Sequence, residues 1–413
     1  MRRRRRILAA AAIVAVVATA AVGLHVAVRW AGRDVRGSAT IEYAATSAPE
    51  PSPRPQLAWP QWGRVPARTR SAPAGPRPPF RLRWVFHGRS LLEFPPALAY
   101  GRLYLPTFAG LLFALDPASG RTLWRYDSHR CAWASPAVAS GLVFQTFLLR
   151  PPGCRPDVDE HGLLVALDAR TGAERWRVAL PPTESSPLVS GGLVWIGDWS
   201  GDVTAFDAGT GRRRWTFHAD SAVKSSPSLA DGRLFVGTYG GRLYALDPST
   251  GTEIWHASVQ PRLFGRGRFY STPAVAHGRV FLGATDGKVY AYGARSGALR
   301  WSFSTDGYVY GSPAIWRDLV LVGSYSRRFY ALDAATGLVR WSFDAHGAIS
   351  GSASVVAGVV YVSTLAERTF ALDARNGREL WSFPDGKYCA GVADATRFYL
   401  VGYDRLFALA PRR

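Results

Sequence analysis

Lysine, methionine and cysteine are nearly missing from this chain of 413 residues: Lys224, Lys288 and Lys387, the single Met1, and Cys131, Cys154 and Cys389. Three scattered cysteines exclude a disulfide-dense miniprotein, a CxxCH haem site and a four-cysteine zinc site. HExxH, GxSxG, Walker and GxGxxG patterns are also absent, which removes the common zinc-protease, serine-hydrolase and nucleotide-binding classes. No RNP, helix-turn-helix or zinc-finger pattern occurs. Beyond the N-terminus there is no long helical periodicity. With lysine so rare, arginine is the general basic residue, and the net charge of +20 is uneven. Residues 1–80 carry 13 arginines against 3 acidic side chains, while the remainder has 37 basic and 27 acidic residues spread over its whole length. Without a basic patch the charge excess does not point to nucleic acid, and none is expected as a partner.

The N-terminus reads as an export and tethering device. Residues 1–6 form a cytoplasmic basic tail. Residues 7–29 form an apolar stretch in which His25 is the only ionisable group before Arg29, long enough to cross a bilayer as a signal-anchor helix. Ala18-Thr19-Ala20 also fits a signal-peptide cleavage pattern, and Arg4-Arg5-Arg6-Ile7-Leu8 loosely fits a twin-arginine signal. All three routes place the rest of the chain on the extracytoplasmic side of the cell membrane, single-pass if uncleaved. Residues 30–79 are expected as a linker, with ten prolines from Ala48 to Pro79. Within it WPQWGRVPARTR carries Trp59 and Trp62, too apolar for a free spacer, so a docking segment is expected near 59–70.

What fills the remainder is one pattern repeated. GRLYALDPSTGTEIW (241–255) has an alternating strand, an Asp, a tight turn ending in Gly, and a second strand carrying Trp. It recurs around Trp124, Trp176, Trp215, Trp301, Trp341 and Trp381, with half-copies at Trp84 and at RLFALAP near the C-terminus. The Trp-to-Trp spacings are 40, 52, 39, 40, 46, 40 and 40 residues. Between copies lie a Ser-Pro strand and a further strand, four in all, which is the content of a propeller blade. The chain begins with only an outermost strand (81–87) and ends with only a third strand (405–409), so joining the two closes a ring without free edges. The expected fold is all-β: an eight-bladed β-propeller of four-stranded antiparallel blades over 80–413, monomeric. The repeated Asp116, Asp168, Asp207, Asp247, Asp333 and Asp373 sit at one fixed place before the turn and are expected to cap it. Gly293 and Ala410 replace Asp in two copies, which implies that the turn forms without it. The tryptophans are expected to pack between blades.

The AxDxxTGxxxW motif of ALDPSTGTEIW and its companions resembles the tryptophan-docking repeat of the quinoprotein-type (PQQ-like) propellers. That family includes PQQ-dependent alcohol dehydrogenases and the propeller lipoprotein of the outer-membrane β-barrel assembly machinery, a BamB-like protein. The resemblance runs from about Pro60 to the C-terminus, and WPQWGRVPARTR looks like the leading segment of such proteins. For an enzyme of this type it implies PQQ in the funnel, a Ca²⁺ that polarises it and a carboxylate base. Against that stand the short loops, the lack of an adjacent Cys pair and the lack of a Glu/Asn/Asp set for calcium. No catalytic residue, metal site or cofactor is therefore assigned.

The loops leading into each innermost strand share a face with those between second and third strands, and that face usually forms the funnel. Its candidate binding residues are Glu93, Trp133, Glu184, Lys224, Arg268, Tyr270, Tyr308, Tyr310 and Tyr388 from the first set, and Trp199, Tyr239 and Tyr325 from the second. Two insertions break the period. One carries Arg262, Arg266 and Arg268 among aromatics; the other holds Cys154, on the same face as Cys131, and a Cys131–Cys154 disulfide is expected. Cys389 is left as a free thiol. The expected function is a non-enzymatic, membrane-tethered extracytoplasmic scaffold for a protein or cell-envelope component. A PQQ-dependent dehydrogenase and a small-ligand sensor are the alternatives.

Overall fold

In the computed structural model, short runs of alternating or wholly apolar residues, broken by tight turns, leave strands of two to eight residues and nothing longer. The structure describes residues 32–45, 58–149, 154, 161–261 and 267–412. These residues form eight sheets of four antiparallel strands each, with a two-residue parallel strand added to one of them. In blade 4, for example, Ser228–Ala230 is innermost, followed outward by Arg233–Gly237, Arg242–Leu246 and Glu253–Ser258. The last blade takes Gly391–Ala393, Phe398–Val401 and Arg405–Pro411 from the C-terminus and its outermost strand, Phe80–His87, from the N-terminal side. The ring is closed as the two half-copies require.

The core lies between blades. Second and third strands are buried on both faces, as in Arg242–Leu246, whereas outermost strands alternate, as in Glu253–Ser258. Leu188, Trp195 and Val203 of blade 3 pack with Leu234, Val236 and Leu246 of blade 4 in one apolar cluster, and other neighbours do likewise. Seven of the eight outer tryptophans lean onto the turn of the following blade, and Trp381 meets Phe80 edge-on instead. Trp215 donates its indole N–H to Pro248 O (3.1 Å) and its ring lies over Gly251. Gly251 has φ +75°, and a Cβ there would overlap the Trp215 ring, so this position needs glycine twice over.

The turn aspartates cap as the fixed spacing implies. Asp333 accepts from the N–H groups of Ala335 (3.0 Å) and Thr336 (2.8 Å), from the Thr336 hydroxyl (2.8 Å) and from Arg340 Nε (3.1 Å). The blade with Gly293 differs from what the sequence implied, because its turn does not dispense with a carboxylate. Glu42, far away in sequence, inserts there and accepts from the N–H groups of Arg295 (2.9 Å) and Ser296 (3.0 Å), the Ser296 hydroxyl (2.6 Å) and Arg300 Nε (3.2 Å). These four groups lie on the same three positions after residue 293 that Asp333 serves after itself. A Cβ on Gly293 would collide with the Glu42 carboxylate. Burial pushes the Glu42 carboxyl up, but Ser296, Arg300 and the two amides together bring it below its ordinary value.

Glu42 belongs to a strap, residues 32–45, laid along blades 5 and 6. Asp34 pairs with Lys288 (3.0 Å) and accepts from the Ser304 hydroxyl (2.8 Å), Tyr43 stacks on His277, and Arg279 donates to Ile41 O (3.1 Å). Residues 58–72 run round the centre of the ring. Trp59 bridges Leu98 of blade 1. Pro60, Pro66, Ala67, Thr69 and Arg70 carbonyls accept from Val138, Leu229, Val275, Ile315 and Val355, and Gln61 Oε1 from Val189. The innermost strands of seven blades are thus bonded in order, satisfying edges that an open channel would leave bare. Arg68, fully buried at the centre, donates to carbonyls of Trp62, Pro227, Ser186 and Pro187. The stretch expected as linker is therefore, over 32–45 and 58–79, part of the propeller. The expected basic tail and membrane helix, 1–6 and 7–29, lie outside the described residues; among those described, no helix is long and apolar enough to cross a membrane.

Candidate functional site

The funnel is built from one residue per blade. In each copy the residue three places before the Pro of the Ser-Pro step, or its equivalent, ends the loop entering the innermost strand. Read round the ring these are Glu93, Trp133, Glu184, Lys224, Tyr270, Tyr310, Ser350 and Tyr388, and all eight line one cavity of about 420 Å³. The step below them is fixed by a belt of hydroxyls. Ser186, Ser226, Thr272, Ser312 and Ser352 each accept from the backbone N–H of the equivalent residue one blade earlier, at 2.8–3.2 Å. The repeated Ser-Pro thus anchors the loops, and the neighbouring position is free to vary.

Of the residues expected from sequence, Glu93, Trp133, Glu184, Lys224, Tyr239, Tyr270, Tyr310, Tyr325 and Tyr388 line the cavity. Trp199 and Arg268 do not, but each meets a residue that does. Lys224 Nζ lies 4.2 Å from the centre of the Trp199 ring, and the Arg268 guanidinium lies 4.8 Å from that of Tyr239. Tyr308 is half exposed on the rim, packed against Tyr310 and Tyr325. Arg262 and Arg266 lie outside the described residues. Sequence reading missed Ser350, Phe94 and the floor. Aligning the copies on Ser-Pro exposes Ser350 and Phe94. The floor, Trp62, comes from the N-terminal segment, and no repeat alignment reveals it. Trp62 donates to Thr272 Oγ1 (3.3 Å), meets Phe94 edge-on, and covers the Arg70 guanidinium at 4.4 Å. The segment that runs round the centre of the ring thus contributes Trp62 to the cavity wall.

Glu184 accepts from Lys224 Nζ (3.1 Å) and from the Tyr270 hydroxyl (2.5 Å). The Tyr270 phenol is pushed well above its usual value, first by burial and then by the Glu184 charge. Glu93 is raised to about 7, chiefly by burial and further by Glu184. Cys389, buried and free, is pushed up to about 12 by burial, so it is an inert thiol. A disulfide joins Cys131 and Cys154 (Cα–Cα 5.9 Å) beside Trp133 and Trp199.

Calcium binding requires six to eight oxygens, usually with several ionised carboxylates. The funnel offers only two carboxylates, and one of them is already paired with Lys224. Among the described residues no group of three or more His, Cys, Asp or Glu is placed to hold a metal ion. The residues present do not fit a calcium-bound quinone.

Comparison with known proteins matches residues 110–260, 199–310 and 285–409 to the family described as outer membrane protein assembly factor BamB. The chain belongs to this family. Membership accounts for the fold: the crystal structure of BamB from Moraxella catarrhalis superposes with a TM-score of 0.67 at 18% identity, covering 80% of this chain and 99% of that one. The quinohemoprotein alcohol dehydrogenase of Comamonas testosteroni superposes with a TM-score of 0.73 at 16% identity, over 87% of this chain and 81% of that one. At such identities the likeness is one of fold. Among curated proteins, the dehydrogenase subunit of the quinone-type alcohol dehydrogenase of Acetobacter aceti is 32% identical over 158 residues, 30% of this chain and 19% of its own. The serine/threonine-protein kinase AfsK of Streptomyces coelicolor is 37% identical over 189 residues, 43% of this chain and 21% of its own. The chain thus spans about a fifth of the length of these two relatives. The propeller fold is thus shared with both a quinohemoprotein alcohol dehydrogenase and BamB.

Proposed function

We propose that this BamB-family propeller is a non-enzymatic scaffold, held at the cell membrane by residues 7–29 with its blades on the extracytoplasmic side, and that its funnel face receives a segment of a protein partner of the envelope. The observation that carries the reading is the make-up of the funnel. It is walled by tyrosines and offers only two carboxylates, one already paired with Lys224, too few for calcium. A rigid ring with a pocket of one varied residue per blade suits recognition, which needs shape and aromatic surface, more than hydride or electron transfer, which needs a bound redox group. The Cys131–Cys154 disulfide supports an oxidising compartment.

The purified full chain, mixed with PQQ and Ca²⁺, is expected to show no quinone absorbance shift and no alcohol-dependent dye reduction above background. Reduction with turnover sinks the scaffold reading. In the same protein a photo-crosslinker at Tyr310 is expected to yield envelope-protein adducts, while one at Arg233, on the turn at the opposite face, yields none.

A further inference from the structure

Several polar groups of the funnel have partners among the described residues, and Glu93 does not. Glu184 is held by Lys224 and Tyr270, and the Tyr325 hydroxyl meets Ser350 Oγ at 3.1 Å. Glu93 has no hydrogen bond and no ion pair among the described residues. The groups that sense its charge are Glu184, Tyr270, Tyr388 and Cys389; Lys224 is engaged by Glu184, and Arg70 lies beneath Trp62. A carboxylate is thus left without a counter-charge in a largely desolvated aromatic pocket.

The tyrosines around it meet at steep angles. Tyr270 and Tyr310 are at 85° with centroids 5.6 Å apart, and Tyr310 and Tyr325 at 63° and 5.2 Å. Rings so arranged turn faces and edges into a shared space, and the electron-rich faces attract cations. The funnel already uses this chemistry on its other side, where Lys224 sits over Trp199 and Arg268 over Tyr239. Tyr310, Tyr325 and Tyr388 have no such cation among the described residues.

We propose that the funnel binds the cationic side chain, arginine or lysine, of a partner polypeptide, seated among these tyrosine rings and paired with the Glu93 carboxylate. A cavity of about 420 Å³ holds more than a lone guanidinium or ammonium group, leaving room for the chain that carries it. Because burial raises Glu93 to about 7, seating a cation beside it drives a proton off, and binding strengthens as pH rises from 6 to 8. The proposal rests on the scaffold reading, but the two fail separately: dye reduction bears on catalysis, peptide titration on the cation.

The test is calorimetric titration of the full chain with acetyl-Gly-Gly-Arg-Gly-Gly-amide, its lysine and citrulline counterparts, and agmatine as a free small cation, in two buffers of different ionisation enthalpy. Expected are millimolar binding of the arginine or lysine peptide, proton release near pH 7, and about tenfold or greater weakening with citrulline or with Glu93→Gln. Tyr310→Leu weakens binding as well, and Arg233→Ala leaves it unchanged; thermal melts establish that each variant is folded. Equal binding of the citrulline peptide, an unaltered Glu93→Gln, no binding of either cationic peptide, or binding of agmatine alone each overturns the proposal.

Discussion

At the scale of single residues, two carboxylates share one funnel and differ because only one has a cation beside it. Glu93 is raised to about 7 by burial, so its neutral form is the one the fold favours. The unfolded carboxyl titrates near 4.5. The stability it contributes is complete below the unfolded value and is lost as pH rises through 7. Glu93→Gln stays neutral throughout. It is therefore expected to melt at the same temperature as the natural protein near pH 4 and to be more stable above pH 7, by roughly 1–3 kcal/mol. Melting curves from pH 4 to 8 check this; parallel curves would mean that Glu93 is solvated.

At the scale of elements, the strap 32–45 is fastened by a carboxylate that the blade itself lacks. Gly293 has an ordinary φ, so an aspartate there can cap its own turn as Asp333 does. Gly293→Asp is expected to evict Glu42 and free the strap, with tryptic cleavage at Arg33 and Arg36 rising about tenfold or more while the blades stay intact, since the lost bonds are worth about 0.5–1.5 kcal/mol each. Glu42→Gln keeps the shape but gives up the charge-assisted contact to Arg300, and falls between the two. Unchanged cleavage in Gly293→Asp would show that Asp34 and Tyr43 hold the strap by themselves.

At the scale of the whole molecule, the ring holds because no edge is left bare. Phe80–His87 pairs with Arg405–Pro411, and residues 58–72 bond the innermost strands of seven blades. A chain ending at Asp404 loses the third strand of the last blade and leaves Phe80–His87 without a partner. It is expected to lose its single cooperative melting transition and to associate through the exposed edges, as read by calorimetry and light scattering. A monomer with an unchanged transition would show that the remaining blades close without it.

The sequence by itself determined the blade and the number of blades. Alternation, turn glycine, Asp cap and Trp are local requirements of each hairpin, repeated in every copy, and two half-copies at the ends admit only one closure. It also placed most of the funnel residues, because the face of a repeat loop follows from strand order. What only the tertiary structure decided are the contacts between segments distant along the chain and outside the repeat. Glu42 in the Gly293 turn, Trp62 as floor of the funnel and Arg68 at the centre of the ring have no local pattern, since each is fixed by a residue more than a hundred positions away, Ser296, Thr272 and Pro227 respectively. The same holds for the pairing of charges in the funnel. Glu93 and Glu184 are alike in sequence, and the difference between them is made by Lys224, which the next blade supplies to Glu184 and not to Glu93.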